Sequence, residues 1–291
     1  MTAGFGQGVN NVKGRILLGT NGSPAALAAG DWAAVRAVDV GDELVLAHSV
    51  PARAVFRVED SYESARKHGQ ELLDGEAARL SARHPHLRLA SVLADGEVAQ
   101  VMRGLSEEAD LVVVGTDRGP DAHGEGFGSV SFQTSIISQC PVTVVPVLGQ
   151  RPAAGVVVGV DGSLESGIAA EHAAAEANRL GEDLTIVHAA RDISAGREIL
   201  SAAKDSVTAA NPGLPVHELL DLDHGPAEAL LKAGLGARLL VLGCRGKGGL
   251  RVLIGSVAKD VLFKIHCPTL VTRPAGTMAG LRTASSRDGA P

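Results

Sequence analysis

Aromatic side chains are scarce: five Phe, one Trp and one Tyr among 291 residues. So few rings leave no stacking platform for single-stranded nucleic acid. An excess of positive charge is also missing, since 27 Lys and Arg against 33 Asp and Glu give a net charge of −6. Binding driven by the phosphate backbone of DNA or RNA is therefore not expected. No apolar run approaches the ~20 residues of a membrane helix, because Leu111–Val114 and Leu239–Leu242 both run into glycine. Three cysteines, an odd number, make no disulfide framework and point to a reducing cytoplasm. Met1–Lys13 is rich in Gly and Asn and lacks the apolar centre of a signal peptide. Gly-x-x-x-x-Gly-Lys-Ser/Thr, Gly-x-Ser-x-Gly and His-Glu-x-x-His are all absent, so a dedicated high-turnover enzyme is not expected.

What the chain does have is glycine, 36 residues, about 12% against a usual ~7%. It also contains itself twice. Gly14-Arg15-Ile16-Leu17-Leu18-Gly19-Thr20-Asn21-Gly22-Ser23 matches Gly155-Val156-Val157-Val158-Gly159-Val160-Asp161-Gly162-Ser163. Asn21 and Asp161 lie 140 residues apart, as do His48 and His188. Later, Gly128-Ser129-Val130 matches Gly255-Ser256-Val257, and Cys140-Pro141 matches Cys267-Pro268, both at 127. Repeat 2 is thus 13 residues shorter, mostly between its second strand and third helix. The boundaries read as 12–148 and 154–274, joined by the Gly/Pro/Ala stretch Gly149–Ala154, with disordered tails over 1–11 and 275–291.

Within repeat 1 the pattern predicts strands at Ile16–Thr20, Glu43–Ser49, Leu87–Leu93, Leu111–Gly115 and Val142–Val147. Helices are expected between them, over Pro24–Val38, Tyr62–Ala82, Val98–Glu108 and Val130–Gln139. Repeat 2 predicts strands at Val156–Val160, Leu184–Ala189, Val216–Leu222, Leu239–Leu242 and Thr269–Arg273. Unbroken β-branched and aliphatic runs are those of strands buried on both faces. Ser23 and Ser163 stand as N-caps before Ala-rich helices. The fold class is α/β: two tandem doubly wound domains, each a five-stranded parallel sheet with helices on both faces.

Ligands of such sheets bind beyond the carboxyl ends of the strands. Two loops stand out there. One follows the first strand, at Asn21-Gly22-Ser23 and Asp161-Gly162-Ser163. The other follows the fourth, as Gly243-Cys244-Arg245-Gly246-Lys247-Gly248-Gly249 and then Gly255-Ser256 at the head of a helix. Glycines let backbone N–H groups close on an anion, and Ser256 would cap the helix or donate to a phosphate. An ordinary flexible loop with a Ser cap is the competing reading. His48 and His188 read as rim or core histidines, and Cys140 and Cys267 as small hydrophobes. Cys244 lies in a cationic loop that would lower a thiol pKa, which leaves a minor redox reading open.

On these residues both halves resemble the universal stress protein family. Its signature is Val-Gly-x-Asp-Gly-Ser after strand 1, and Gly-x-x-Gly, nine residues, then Gly-Ser/Thr after strand 4. The resemblance implies the strand order 3-2-1-4-5, ATP in the Gly-rich loop of some members, and pairing of domains through the fifth strands. It carries nucleotide contacts onto Val160, Asp161, Ala189, Gly243, Gly246, Gly255, Ser256 and Val257, and the charge of Arg245 adds that residue to the expected site. More weakly it carries them onto Thr20, Asn21, Ser49, Gly115, Gly128, Ser129 and Val130. Repeat 2 departs in one respect: eight residues, 247–254, separate Gly246 from Gly255.

Repeat 1 departs further, with Asn21 for the aspartate and Arg118 where the second glycine belongs. Between Gly115 and Gly128, Asp117, Asp121 and Glu125 against Arg118 give a net −2. Between Gly243 and Gly255, Arg245, Lys247 and Arg251 give +3, so a triphosphate favours repeat 2. The expectation is an ATP-binding stress-response regulator, with or without Mg2+, and no protein-held metal site. The alternatives are a nucleotide-free dimerisation module, or a slow ATPase that phosphorylates itself at Ser256. The fifth strands, Val142–Pro146 and Thr269–Arg273, are apolar edges that antiparallel pairing within the chain would cover, with Pro146 near the ladder's end. A homodimer of tandem chains is the further expected partner.

Overall fold

In a computed structural model the described residues are 14–117, 130–147, 153–246 and 254–274. The tails, the linker core 148–152, and the loop residues Arg118, Gly128, Ser129, Lys247 and Arg251 fall outside them.

Aliphatic runs become strands and Ala-rich stretches become helices, twice over. Repeat 1 comprises β1 (Arg15–Gly19), α1 (Pro24–Val40), β2 (Glu43–Val50), α2 (Glu59–Arg83), β3 (Arg88–Asp95), α3 (Val98–Leu105), β4 (Leu111–Thr116), α4 (Val130–Ile137) and β5 (Val142–Pro146). Repeat 2 comprises β6 (Val156–Gly159), α5 (Leu164–Leu180), β7 (Leu184–Ala189), α6 (Ile193–Ala210), β8 (Val216–Asp221), α7 (Pro226–Ala233), β9 (Leu239–Gly243), α8 (Ser256–Leu262) and β10 (Thr269–Thr272). The helix expected over Val98–Glu108 ends earlier, and Ser106–Glu108 tightens into a 3-10 turn. Among the described residues no helix is long and apolar enough to cross a membrane.

Each half has the order 3-2-1-4-5, all parallel, but the halves are not separate sheets. A single ten-stranded sheet runs β3-β2-β1-β4-β5-β10-β9-β6-β7-β8. Its one antiparallel step pairs β5 with β10, with Thr269 opposite Val144, Leu270 opposite Thr143 and Val271 opposite Val142. Pro146, which has no N–H to give a ladder, pairs in register only with Thr116 of β4.

Two core layers cover the sheet. One is built from α1, α2, α5 and α6, and the other from α3, α4, α7 and α8. Alanine lets the first layer sit close: Ala29, Ala33, Ala34 and Ala37 of α1 are fully buried. At Gly115 a Cβ would fall 2.1 Å from the carbonyl oxygen of Ala25, so glycine there is a packing requirement. Few aromatics are needed because helix and sheet approach through small side chains. Ser23 Oγ accepts from Ala26 N, and Ser163 Oγ from Ser166 N, so both predicted caps form. Both helices stop at a left-handed glycine, Gly41 (φ 78°) and Gly181 (φ 65°).

The missing residues of repeat 2 can be placed. A 25-residue α2, preceded by a 3-10 turn at Arg53–Val55, corresponds to an 18-residue α6. Ile16 pairs with Leu111 and its equivalent Val156 with Leu239, so β4 and β9 are offset by 128. Cys140 and Cys267 are offset by 127. One residue is therefore lost in the Gly-rich loop itself, where the spacer is eight long.

Candidate functional site

The carboxyl ends of β6, β7 and β9 open into a cleft of about 670 Å³, within the size range of small-molecule sites. It lies where the strand order reverses between β6 and β9, the usual ligand position in an open α/β sheet. Val160 and Asp161 line it from the end of β6, and Ala189 from the end of β7. Gly243, Arg245 and Gly246 line it from the loop after β9, and Gly255, Ser256 and Val257 from the start of α8. All nine residues predicted for repeat 2 thus border one cavity.

Each lining group has a local reason for its position. Asp161 Oδ1 accepts from Ser163 N at 3.0 Å, a turn that aims the following residues into the α5 cap. Its other oxygen faces the Gly-rich loop: a Cβ on Gly246 would meet Asp161 Oδ2 at 2.4 Å. Gly243 is equally confined, since a Cβ there would lie 3.0 Å from the Glu165 carbonyl oxygen. Gly255 N donates to Cys244 O at 2.7 Å and closes the loop. His188 Nδ1 donates to Val160 O at 2.7 Å, fastening β7 to the end of β6. His48 Nδ1 does the same to Thr20 O at 2.8 Å in repeat 1.

Three expectations change. Gly255, not Ser256, is the N-cap of α8, so Ser256 is the first helical residue and its hydroxyl does not cap. Cys244 is only 3% exposed, which removes the solvent access that a redox role needs. Burial likewise raises the Cys140 thiol to about 11 and the Cys267 thiol to about 12. Finally, the charge of the loop is not its own alone. Glu165 of α5 lies 3.4 Å from Arg245 Nη2, and Asp161 faces Gly246, so two carboxylates temper the cationic loop. Sequence reasoning missed Glu165, although an acid in a helix's first turn is a recognisable signal. It also missed Lys259, Pro226 and Leu230, which complete the lining. Lys259 stands three residues after Ser256, one turn along the same helix.

Repeat 1 arranges the corresponding residues differently. Asn21 Oδ1 accepts from Ser23 N at 3.1 Å, so the turn of Asp161 survives and its charge does not. Ser49 donates its hydroxyl to Gly96 O at 2.8 Å. The Glu97 carboxylate caps α3, accepting from Ala99 N and Gln100 N at 3.1 and 3.0 Å. In repeat 2, Ala189 has no hydroxyl, and Gly225 caps α7 without a side chain. Thr20 is buried, Gly115 is pressed against Ala25, and Val130 opens α4 exposed.

The fold and the cleft define a class: tandem doubly wound α/β proteins with a cleft at the strand-order reversal. The model of the universal stress protein family matches residues 14–146 and 155–273, and the chain belongs to that family. Two universal stress proteins of Mycobacterium tuberculosis are similar over nearly their whole lengths. One is 28% identical over 89% of this chain and 94% of its own. The other is 29% identical over 90% and 97%. The crystal structure of a universal stress protein from Archaeoglobus fulgidus superposes with a TM-score of 0.71 at 19% identity, over 91% of this chain and 98% of that one.

Proposed function

We propose that the chain binds one adenine nucleotide, in the repeat 2 cleft, and serves as a stress-response regulator rather than as a high-turnover enzyme. The observation that carries this reading is convergence. Eight residues singled out by family resemblance, and Arg245 singled out by its charge, come from three separate strand ends and border a single cavity.

The donor set suits a phosphorylated ligand. Arg245 and Lys259 supply positive charge, the Ser256 hydroxyl is free of capping duty, and Gly246 and Gly255 leave the backbone open to close approach. The apolar walls, Val187, Leu230 and Leu242, suit a base and ribose rather than a bare anion. ATP, with or without Mg2+, is the ligand proposed, and its phosphates supply the negative charge that the loop is built to hold. Asp161 and Glu165 counter that charge, so the cleft is tuned to moderate affinity. In repeat 1 the Ser49 and Glu97 bonds favour the other reading, a domain that kept the fold without the ligand.

Equilibrium dialysis with ATP and AMP tests the assignment. A Cβ at Gly255 meets nothing nearer than 3.4 Å, so the backbone has room for the first carbon of Gly255→Asp, which sets a carboxylate at the head of α8. It should abolish binding, whereas Asn21→Lys in repeat 1 should leave it intact. Wild-type affinity in the first variant together with loss in the second would move the site to repeat 1. No nucleotide bound by the unaltered chain would leave the interaction module as the function.

A further inference from the structure

Four charged side chains meet where the two repeats join. Arg36 of α1 donates through Nε and Nη2 to Glu176 Oε1 of α5, at 3.2 and 2.6 Å. Arg179 of α5 donates through Nη1 to Asp39 Oδ2 at 2.6 Å. Arg179 also holds the second oxygen of Glu176, through Nε at 3.0 Å and Nη2 at 2.9 Å. Arg36, Glu176 and Arg179 are largely withdrawn from solvent, their side chains 19, 7 and 14% exposed.

Position 36 is equivalent to 176, and 39 to 179, because each pair is 140 residues apart. That is the same offset that relates Asn21 to Asp161. Every residue here therefore touches its own counterpart, the mark of a two-fold axis between the repeats. Two identical repeats docked this way would set each residue against itself. Repeat 1 on repeat 1 would oppose Arg36 to Arg36 and Asp39 to Asp39. Repeat 2 on repeat 2 would oppose Glu176 to Glu176 and Arg179 to Arg179. The sign is inverted at both positions, so only unlike repeats are complementary.

The neighbouring sheet contact lacks this discrimination. The β5–β10 ladder is made of backbone bonds between strands that carry no charged side chain, Val142–Pro146 and Thr269–Thr272, so it holds no such sign rule. On the opposite face a second asymmetry agrees. Arg273, just beyond β10, donates to Ser135 O and Ile136 O at the end of α4. Its repeat 1 equivalent is Pro146, which has no donor at all.

We infer that Arg36 and Asp39 with Glu176 and Arg179 form a pairing code that directs repeat 1 to a repeat 2 and rejects a like repeat, including one from a neighbouring chain. Like charges brought together carry the rejection, strongest at Arg36, Glu176 and Arg179, which are largely out of solvent. The fold alone would allow chains to exchange repeats through their fifth strands. The code confines that edge to the unlike repeat, and this inference does not depend on nucleotide binding.

The test uses full-length chains. Arg36→Glu with Asp39→Arg gives both repeats the pattern of repeat 2, and Glu176→Arg with Arg179→Asp gives both the pattern of repeat 1. Each double variant should melt at least about 4 °C below the unaltered chain, and all four substitutions together should recover most of that loss. Mixing the two double variants, one of them isotope-labelled, should yield chain–chain complexes in native mass spectrometry. Mixed pairs should exceed like pairs by about tenfold over the statistical proportion, which is about 1.4 kcal/mol. A statistical distribution, or no complexes at all, overturns the inference. So does a four-fold variant that melts no higher than the doubles, which keeps the test decisive if a double variant fails to fold.

Discussion

Gly246→Ala is the sharpest probe of the cleft, because its consequence can be worked from one contact. The added methyl carbon falls 2.4 Å from Asp161 Oδ2, well inside the ~3.3 Å of a close carbon–oxygen approach. Asp161 Cγ, at 3.5 Å, is not crowded, so relief comes by turning the carboxylate. That turn strains or breaks the bond in which Asp161 Oδ1 accepts from Ser163 N at 3.0 Å. A hydrogen bond to a charged group contributes about 1.5–3 kcal/mol, which bounds the loss. For a chain of this size the melting temperature should fall by about 3–10 °C. Calorimetry of a double-mutant cycle isolates the cause. In an Asp161→Ala background the crowding oxygen is gone, and Gly246→Ala should then cost almost nothing further. An equal drop in both backgrounds would refute the argument, since the damage would then lie in the loop backbone and not in the Asp161 contact.

Burial makes two further outcomes predictable. Cys140 and Cys267, with thiols raised to about 11 and about 12, and buried Cys244 should resist iodoacetamide at pH 8 until the chain is denatured. Peptide mapping that finds any of them alkylated in native protein as fast as in denatured protein refutes this. His172 of α5 is held below its ordinary 6.5, chiefly by burial and also by the Arg36 charge, with Glu176 and Glu171 opposing. The unfolded chain therefore takes up this proton before the folded one does. The stability conferred by the neutral ring is intact above pH 6.5 and is lost as the pH falls from there through the folded value. His172→Gln should flatten that stretch of the melting-temperature profile, and parallel profiles for variant and wild type would show that His172 contributes nothing to it.

Much of the molecule was legible because its signals are local. The Ser23 and Ser163 caps, the glycine stops and the aliphatic runs act within a few residues of themselves, and the duplication doubled each signal. Strand ends are legible for the same reason, which is why Val160, Ala189 and Gly243 could be placed at one rim. Misjudged features were those that depend on a residue far along the chain. The charge of the Gly-rich loop read as +3 because Glu165 and Asp161 lie about 80 residues earlier in sequence, yet a few ångströms away in the fold. Electrostatic interaction depends on that distance and on solvent exclusion, not on order along the chain. The minor redox reading of Cys244, drawn from its arginine and lysine neighbours in sequence, fails because the fold buries the thiol in the core layer beneath α7 and α8.

By itself, then, the amino-acid sequence determined two copies of one α/β unit, the strand ends that rim the repeat 2 cleft, and the loss of an aspartate in repeat 1. The sequence also pointed to pairing of the fifth strands, and only the tertiary structure decided their register, with Thr269 opposite Val144. The tertiary structure alone brought Lys259 to the cleft and Glu165 to Arg245, and tied Ser49 to Gly96. It also set Arg36 against Glu176 and Asp39 against Arg179. Secondary structure follows from side-chain periods repeated every few residues, whereas pairing of charges across 140 positions exists only once the shared sheet sets α1 and α5 side by side in one layer.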